Sequence, residues 1–205
     1  MAANGKVTIG FSKPYVAKYS YADSAVTYTD CQILARGVSV SMTAETNDDN
    51  NFYADNAIAE TEAGTFVNGT VTLEVDGLFK TAENFIYGLP TEDENGWTNY
   101  GDEMAIPYVG VGYIIKYMSD GETIYTPMVL NKCRFAVHED AATTQGDSID
   151  WQTTSLEANV IKDDLGNWKA LGKDYATEAE AEAALKTKLG VTETAKKTAA
   201  KKTEA

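Results

Sequence analysis

The stretch "GTVTLEVDG", residues 69–77, carries the pattern that organises the whole chain. Val71, Leu73 and Val75 fall on one side of an extended backbone, and Thr70, Thr72 and Glu74 on the other. Side chains of a strand alternate with period two, so this is a half-buried strand with an apolar inner face and a polar outer one. The same rhythm recurs in both directions. Val38, Val40 and Met42 alternate with serines in "GVSVSMT", and "YVGVGYIIKYM" places Val109, Val111, Tyr113, Ile115 and Tyr117 at the same spacing. Val7, Ile9 and Phe11 alternate with polar neighbours, and the pattern resumes after Pro14 at Tyr15, Ala17 and Tyr19. "ETIYTPMVL", "KCRFAVHE", "SLEANVI" and "NWKALG" extend the series, and the Gly, Asn and Asp clusters between them are the residues that tight turns require.

Two segments break the strand rhythm. In "LFKTAENFIYGL", Leu78, Ala82, Phe85, Ile86 and Leu89 line one side of a helix over about 78–88, closed by Gly88 and Pro90. "TEAEAEAALKTKLG" opens with Thr177 and Glu180 in capping-box spacing and ends at Gly190. Its apolar stripe, alanines with Leu185 and Leu189, predicts a C-terminal surface helix within 173–190. Residues 191–205, rich in Lys, Ala and Thr, have almost nothing to bury and are expected to be disordered. The expected fold is mainly β: one domain over 1–172, a sandwich or barrel of two packed antiparallel sheets with one embedded short helix.

Composition narrows the function. The net charge is −14, and because residues 192–205 carry four lysines against two glutamates (+2), the remainder carries −16. Such a body repels nucleic acid, whose binding relies on Lys and Arg neutralising phosphates. No apolar run is long enough to span a bilayer, so no membrane binding is expected. The N-terminal "MAANGKVTIGFSKPYVA" lacks the basic-then-apolar layout of a secretion signal, giving an expectation of cytoplasmic synthesis. Cys31 and Cys133 stand alone, without a CxxC pair, and are expected to be free, partly buried thiols.

The most charged stretch is "TNDDNNFYADNAIAETEAG", residues 46–64, with five carboxylates and four asparagines and no basic residue. A calcium loop of EF-hand type needs Gly at position 6 and Glu at position 12. Counted from Asn47, those positions hold Phe52 and Ile58, so the pattern fails where it is most demanding. The acids Asp55, Glu60, Glu62, Glu92, Asp93 and Glu94 show no spacing that singles out a glycosidase pair. There is no GxSxG elbow and no phosphate-binding glycine loop, and the single histidine, His138, cannot build a convincing triad. We therefore expect no enzyme activity, no catalytic or metal-binding residues and no cofactor. Trp97, Trp151 and Trp168 leave open a carbohydrate-binding surface sandwich, although aromatics are also favoured in strands and at protein interfaces, and that is the reading the sequence favours.

The order of segments resembles the major tail protein (tail tube) family of long-tailed siphoviruses, chiefly those of Gram-positive hosts. "ARGVSVSMTAET", a polar loop with "YADN", "GTVTLEVDGL" running into a short helix, "YGLPTEDENGWTNYGDEMAIPYVGVGYI", "QGDSIDWQTTSLEANVI", "NWKAL" and "YATEAEAEAAL" follow one another as in that family. The resemblance implies a virion structural protein whose copies form stacked, hexameric rings around a lumen through which DNA passes as transient, non-adhesive cargo. It implies partners in the tape-measure, tail-terminator and distal tail proteins, with another head–tail or terminator ring protein as the nearest rival. It also implies that the long inter-strand loop, here 45–64, reaches the neighbouring ring. Asn50, Phe52, Tyr53, Asp55, Asn56 and Ile58 are the expected contact residues, and Thr70, Thr72 and Glu74 the expected lumen-facing ones.

Overall fold

The computed structural model describes residues 5–191; residues 192–205, most of the segment read as a disordered tail, lie outside the described residues. As the alternation predicts, the fold is mainly β, with two antiparallel sheets and two helices. The strands are β1 (Val7–Ala22), β2 (Ala25–Ile33), β3 (Gly37–Thr46), β4 (Asn50–Ala54), β5 (Ala57–Glu62), β6 (Phe66–Val75), β7 (Val109–Ser119), β8 (Glu122–Phe135), β9 (Thr154–Ile161) and β10 (Lys169–Leu171). The helices are α1 (Lys80–Tyr87) and α2 (Glu178–Lys188).

Eight strands form one sheet in the order β2-β1-β7-β8-β9-β6-β3, with β10 paired to β8, and β4 and β5 form a separate hairpin. Near one end of that order lies β1 and at the other lies β3, yet the two touch: the Phe11 ring of β1 sits against Gly37 of β3. The large sheet is therefore rolled onto itself, and its two halves supply the two layers of the sandwich. A Cβ on Gly37 would lie 2.1 Å from the Phe11 ring, so only glycine permits this approach.

Inside the roll, Val71, Leu73 and Val75 meet Val109, Val111, Leu130, Phe135, Leu156 and Val160 in one continuous core. Ala82, Ile86 and Tyr87 of α1 pack against that core, and Gly88 ends the helix in the left-handed conformation (φ 58°, ψ 45°). A second, smaller core lies on the outer surface of β1, β7 and β8. There Tyr15, Ala17, Ile114 and Val129 meet Ala181 and Leu185 of α2 and its C-cap residue Leu189. The thin stripe of α2 thus suffices, because β7 presents Gly112 to it beside Ile114 and so lets the helix come close. A Cβ on Gly112 would lie 2.7 Å from a Leu185 methyl and 2.8 Å from a Leu189 methyl. Thr177 caps α2 as its spacing predicts, its hydroxyl accepting the Glu180 amide at 3.3 Å and donating to the Glu180 carboxylate at 2.8 Å.

Two departures from simple alternation have local causes. Lys13 has a positive φ (56°) and the β1–β7 register shifts between Ser12 and Tyr15, so the inward face changes there. Phe11 packs into the inner core, whereas Tyr15 and Ala17 turn outward to α2. In β3 the register shifts between Gly37 and Ser39; Val38 is the extra residue and is 51 % exposed, while Val40 and Met42 pack on the core. Cys133 is buried and Cys31 partly so, and both are free thiols.

Candidate assembly interface

The segment 45–64 is more ordered than an acidic loop. Residues 45 and 46 complete β3, and β4 and β5 then pair as a hairpin with Asn50 opposite Glu62, Phe52 opposite Glu60 and Tyr53 opposite Ile58. Asp55 and Asn56 form the tip with φ of 50° and 62°, the two consecutive positive values of a type I′ turn. That turn matches the right-handed twist of the strands it joins, and Asp and Asn tolerate the left-handed region better than other side-chain-bearing residues. "YADNAI" contains this signal, with the turn pair between alternating residues, but without glycine it reads as part of a loop.

β3 and β6 pair from Gly37–Val75 to Thr46–Phe66, so the hairpin is the far end of one long ribbon, the β3–β6 pair, whose other end is built into the large sheet through β9. A neck separates the two parts. The Asn47 amide donates to the Thr65 carbonyl at 3.1 Å, the Asn47 side-chain oxygen accepts the Thr65 amide at 2.6 Å, and Asp49 accepts the Gly64 amide at 2.8 Å. Gly64 is required there, since a Cβ would fall 1.8 Å from the Asn47 carbonyl oxygen. Every residue from 50 to 62 is exposed, Phe52 by 64 %, Tyr53 by 63 % and Ile58 by 54 %. An isolated two-stranded hairpin is marginal in water. Three large apolar side chains on such an arm, seated on nothing in their own domain, form a surface suited to another molecule.

Thr70, Thr72 and Glu74 project from the outer face of β6, as their alternation with Val71, Leu73 and Val75 requires. Register places them in rows with neighbouring strands: Ser39–Glu74–Ser155, Ser41–Thr72–Glu157 and Thr43–Thr70–Asn159, the last continuing to Arg134 of β8. Glu74 accepts hydrogen bonds from Thr153 at 2.8 Å and Ser39 at 2.9 Å, which hold its carboxyl below the usual range. The face is polar and mixed in charge. Beside it Arg134 and Lys132 lie over the Tyr108 ring, and Lys132 is bonded to Asp164 at 2.8 Å.

β2 and β3 are the terminal strands of the large sheet, each with one edge that pairs with no other strand. An unpaired edge is a template for pairing with another chain. Among the tryptophans, Trp97 is 71 % and Trp151 85 % exposed, whereas Trp168 stacks on Phe66 at 4.5 Å. His138 is held by Tyr87, whose hydroxyl lies 2.8 Å from Nδ1. Among the described residues, no cluster of three or more His, Cys, Asp or Glu is arranged to hold a metal ion, and no helix is long and apolar enough to cross a membrane. No family model matches the chain, and no curated protein matches it significantly.

Proposed function

We propose that this chain is a structural subunit that polymerises into a tube, in the manner of a siphovirus major tail protein. The observation that carries this reading is the exposed β4–β5 hairpin, an apolar-tipped arm that contributes nothing to the core of its own domain. Two sheet edges add to it. Joining β2 of one copy to β3 of the next would satisfy both edges and continue the sheet around a ring, six copies closing it as the resemblance implies. Head-to-tail stacking that does not close on itself then extends rings into a tube.

In such a ring the polar outer rows with Thr70, Thr72 and Glu74 would line the lumen. Hydroxyls, amides and carboxylates make up these rows apart from Arg134, so DNA meets few of the cationic contacts that would stall it and passes as cargo. The tube belongs to the virion and would meet the tape-measure, tail-terminator and distal tail proteins. The reading is tested by sedimentation and negative-stain electron microscopy of concentrated protein, alone and with tail partners. Rings or tubes are expected; a strictly monomeric protein under all these conditions would sink the reading.

A further inference from the structure

We infer that the groove between the β2–β3 link and the start of α1 is the receptor for the β4–β5 hairpin of a second copy of this chain. The inference rests on the tube reading and names the surface that the arm engages.

The two features lie at opposite poles of one ribbon. The hairpin continues from Thr46 and Phe66, while the groove is built on the residues just outside Gly37 and Val75, the other end of the same β3–β6 pair. The ten residues of β3 separate the poles by about 30 Å, and the hairpin extends the ribbon by about 20 Å more. A copy displaced along the ribbon direction therefore presents its groove to the hairpin of the copy behind it. One contact of this kind, repeated along the ribbon direction, stacks ring upon ring.

The chemistry of the groove complements the arm. It encloses ≈ 530 Å³ and is lined by Ile33, Leu34, Phe79 and Ala82, with Arg36 and Asp76 at the rim. Phe79 is 81 % and Ile33 47 % exposed, a match for the exposed Phe52, Tyr53 and Ile58. The Arg36 side chain is 89 % exposed; its Nε engages Asp76, and its remaining N–H donors are open to carboxylates such as Asp55 or Glu60.

Phe79 supplies an independent argument. It is the N-cap residue of α1 and makes no side-chain capping bond. That position favours Ser, Thr, Asp or Asn, whose side chains satisfy an orphan helix amide. A phenylalanine there forgoes the cap and leaves its ring in water, a local disagreement of the kind expected where a residue serves an intermolecular contact. It also provides a clean variant: Phe79→Asp restores a capping side chain and removes the aromatic.

The test uses cross-linking alongside polymerisation. Ile58→Cys and Thr81→Cys are prepared separately and mixed under mild oxidation; both positions are exposed, and Thr81 lines the groove. Background pairing is slow, because burial pushes the Cys31 thiol up to about 11 and the Cys133 thiol higher still. A mixed disulfide between the two variants is expected, and adding Phe79→Asp to the groove partner should suppress it. Phe79→Asp in the otherwise unaltered chain should raise the concentration needed for polymerisation by about tenfold to a hundredfold, the loss of one buried aromatic contact. Its melting temperature should be equal or higher. Polymers of the unaltered chain without the mixed cross-link, or unchanged assembly of Phe79→Asp, would overturn the groove assignment and leave the tube reading standing. The cross-link without polymers would support the docking and sink the tube.

Discussion

Replacing residues 47–65 by Asn-Gly tests whether the arm is dispensable for folding. Thr46 and Phe66 are directly opposite each other in the β3–β6 pair, so a two-residue type I′ turn can join them without changing register. Nothing buried is removed, since the excised segment is exposed apart from the half-buried Gly64. Apart from the hairpin's own ladder, which leaves with it, the loss is the three exposed neck bonds of Asn47 and Asp49, about 0.5–1 kcal/mol each. Against this, shortening the connection from roughly 19 residues to 2 reduces loop-closure entropy by up to about 2 kcal/mol. The net change is about −1 to +0.5 kcal/mol, a shift of between about −4 and +2 °C in Tm for a domain of this size. Urea unfolding followed by far-ultraviolet circular dichroism should give an unchanged slope, because the surface exposed on unfolding hardly differs. Electron microscopy of the same variant should show no tubes. A loss of more than about 2 kcal/mol would mean that the arm supports the domain. Tubes that still form would mean that it is not the stacking element.

Smaller perturbations follow the same logic. Asp55→Pro forces φ to about −65° where the turn needs a positive value, so assembly should fail while Tm stays within a few degrees; a large drop in Tm would contradict the arm's independence. Gly112→Val inserts atoms where Leu185 and Leu189 already sit and should cost about 1–3 kcal/mol. Limited proteolysis should then cut α2 first, and cleavage elsewhere would refute the seating. Glu182 accepts hydrogen bonds from Tyr15 at 2.6 Å and Lys186 at 2.6 Å, with Lys13 at 3.3 Å. Partial burial opposes its ionisation, but these donors prevail and hold its carboxyl at about 2 instead of 4.5. A depressed folded pKa gives stability that is full above pH 4.5 and is lost as pH falls towards 2. Glu182→Gln should thus be less stable by about 1–2 kcal/mol at pH 7, allowing for solvent screening, with the gap to the unaltered chain closing near pH 2. A gap independent of pH would assign the effect to packing.

The sequence determined the fold class through one short-range rule. Alternation such as that of Val71, Leu73 and Val75 with Thr70, Thr72 and Glu74 reports which face of a strand avoids water, and this survives in the structure wherever pairing is regular. Helix signals were equally local: α1 uses the stripe with Ala82 and Ile86, and α2 its Thr177 cap. Tertiary structure decided what local rules cannot encode. The bulges at Lys13 and Val38 reverse or interrupt a face because one extra residue shifts the period; Pro14 and Gly37 beside them mark an irregularity but not which way the face turns. Gly110 and Gly112 lie between the alternating residues of β7 and let Tyr28 and α2 approach it, a requirement set by distant partners. The candidate site divides the same way. Phe52, Tyr53 and Ile58 were legible as apolar residues in a charged stretch, but their projection on a hairpin came from pairing across the Asp55–Asn56 turn. The Phe79 groove was invisible in the sequence, because it joins residues 32–36 to 76–82 only when β3 and β6 lie side by side. Sequence records the preferences of neighbours along the chain; a surface made by strands brought together exists only after folding.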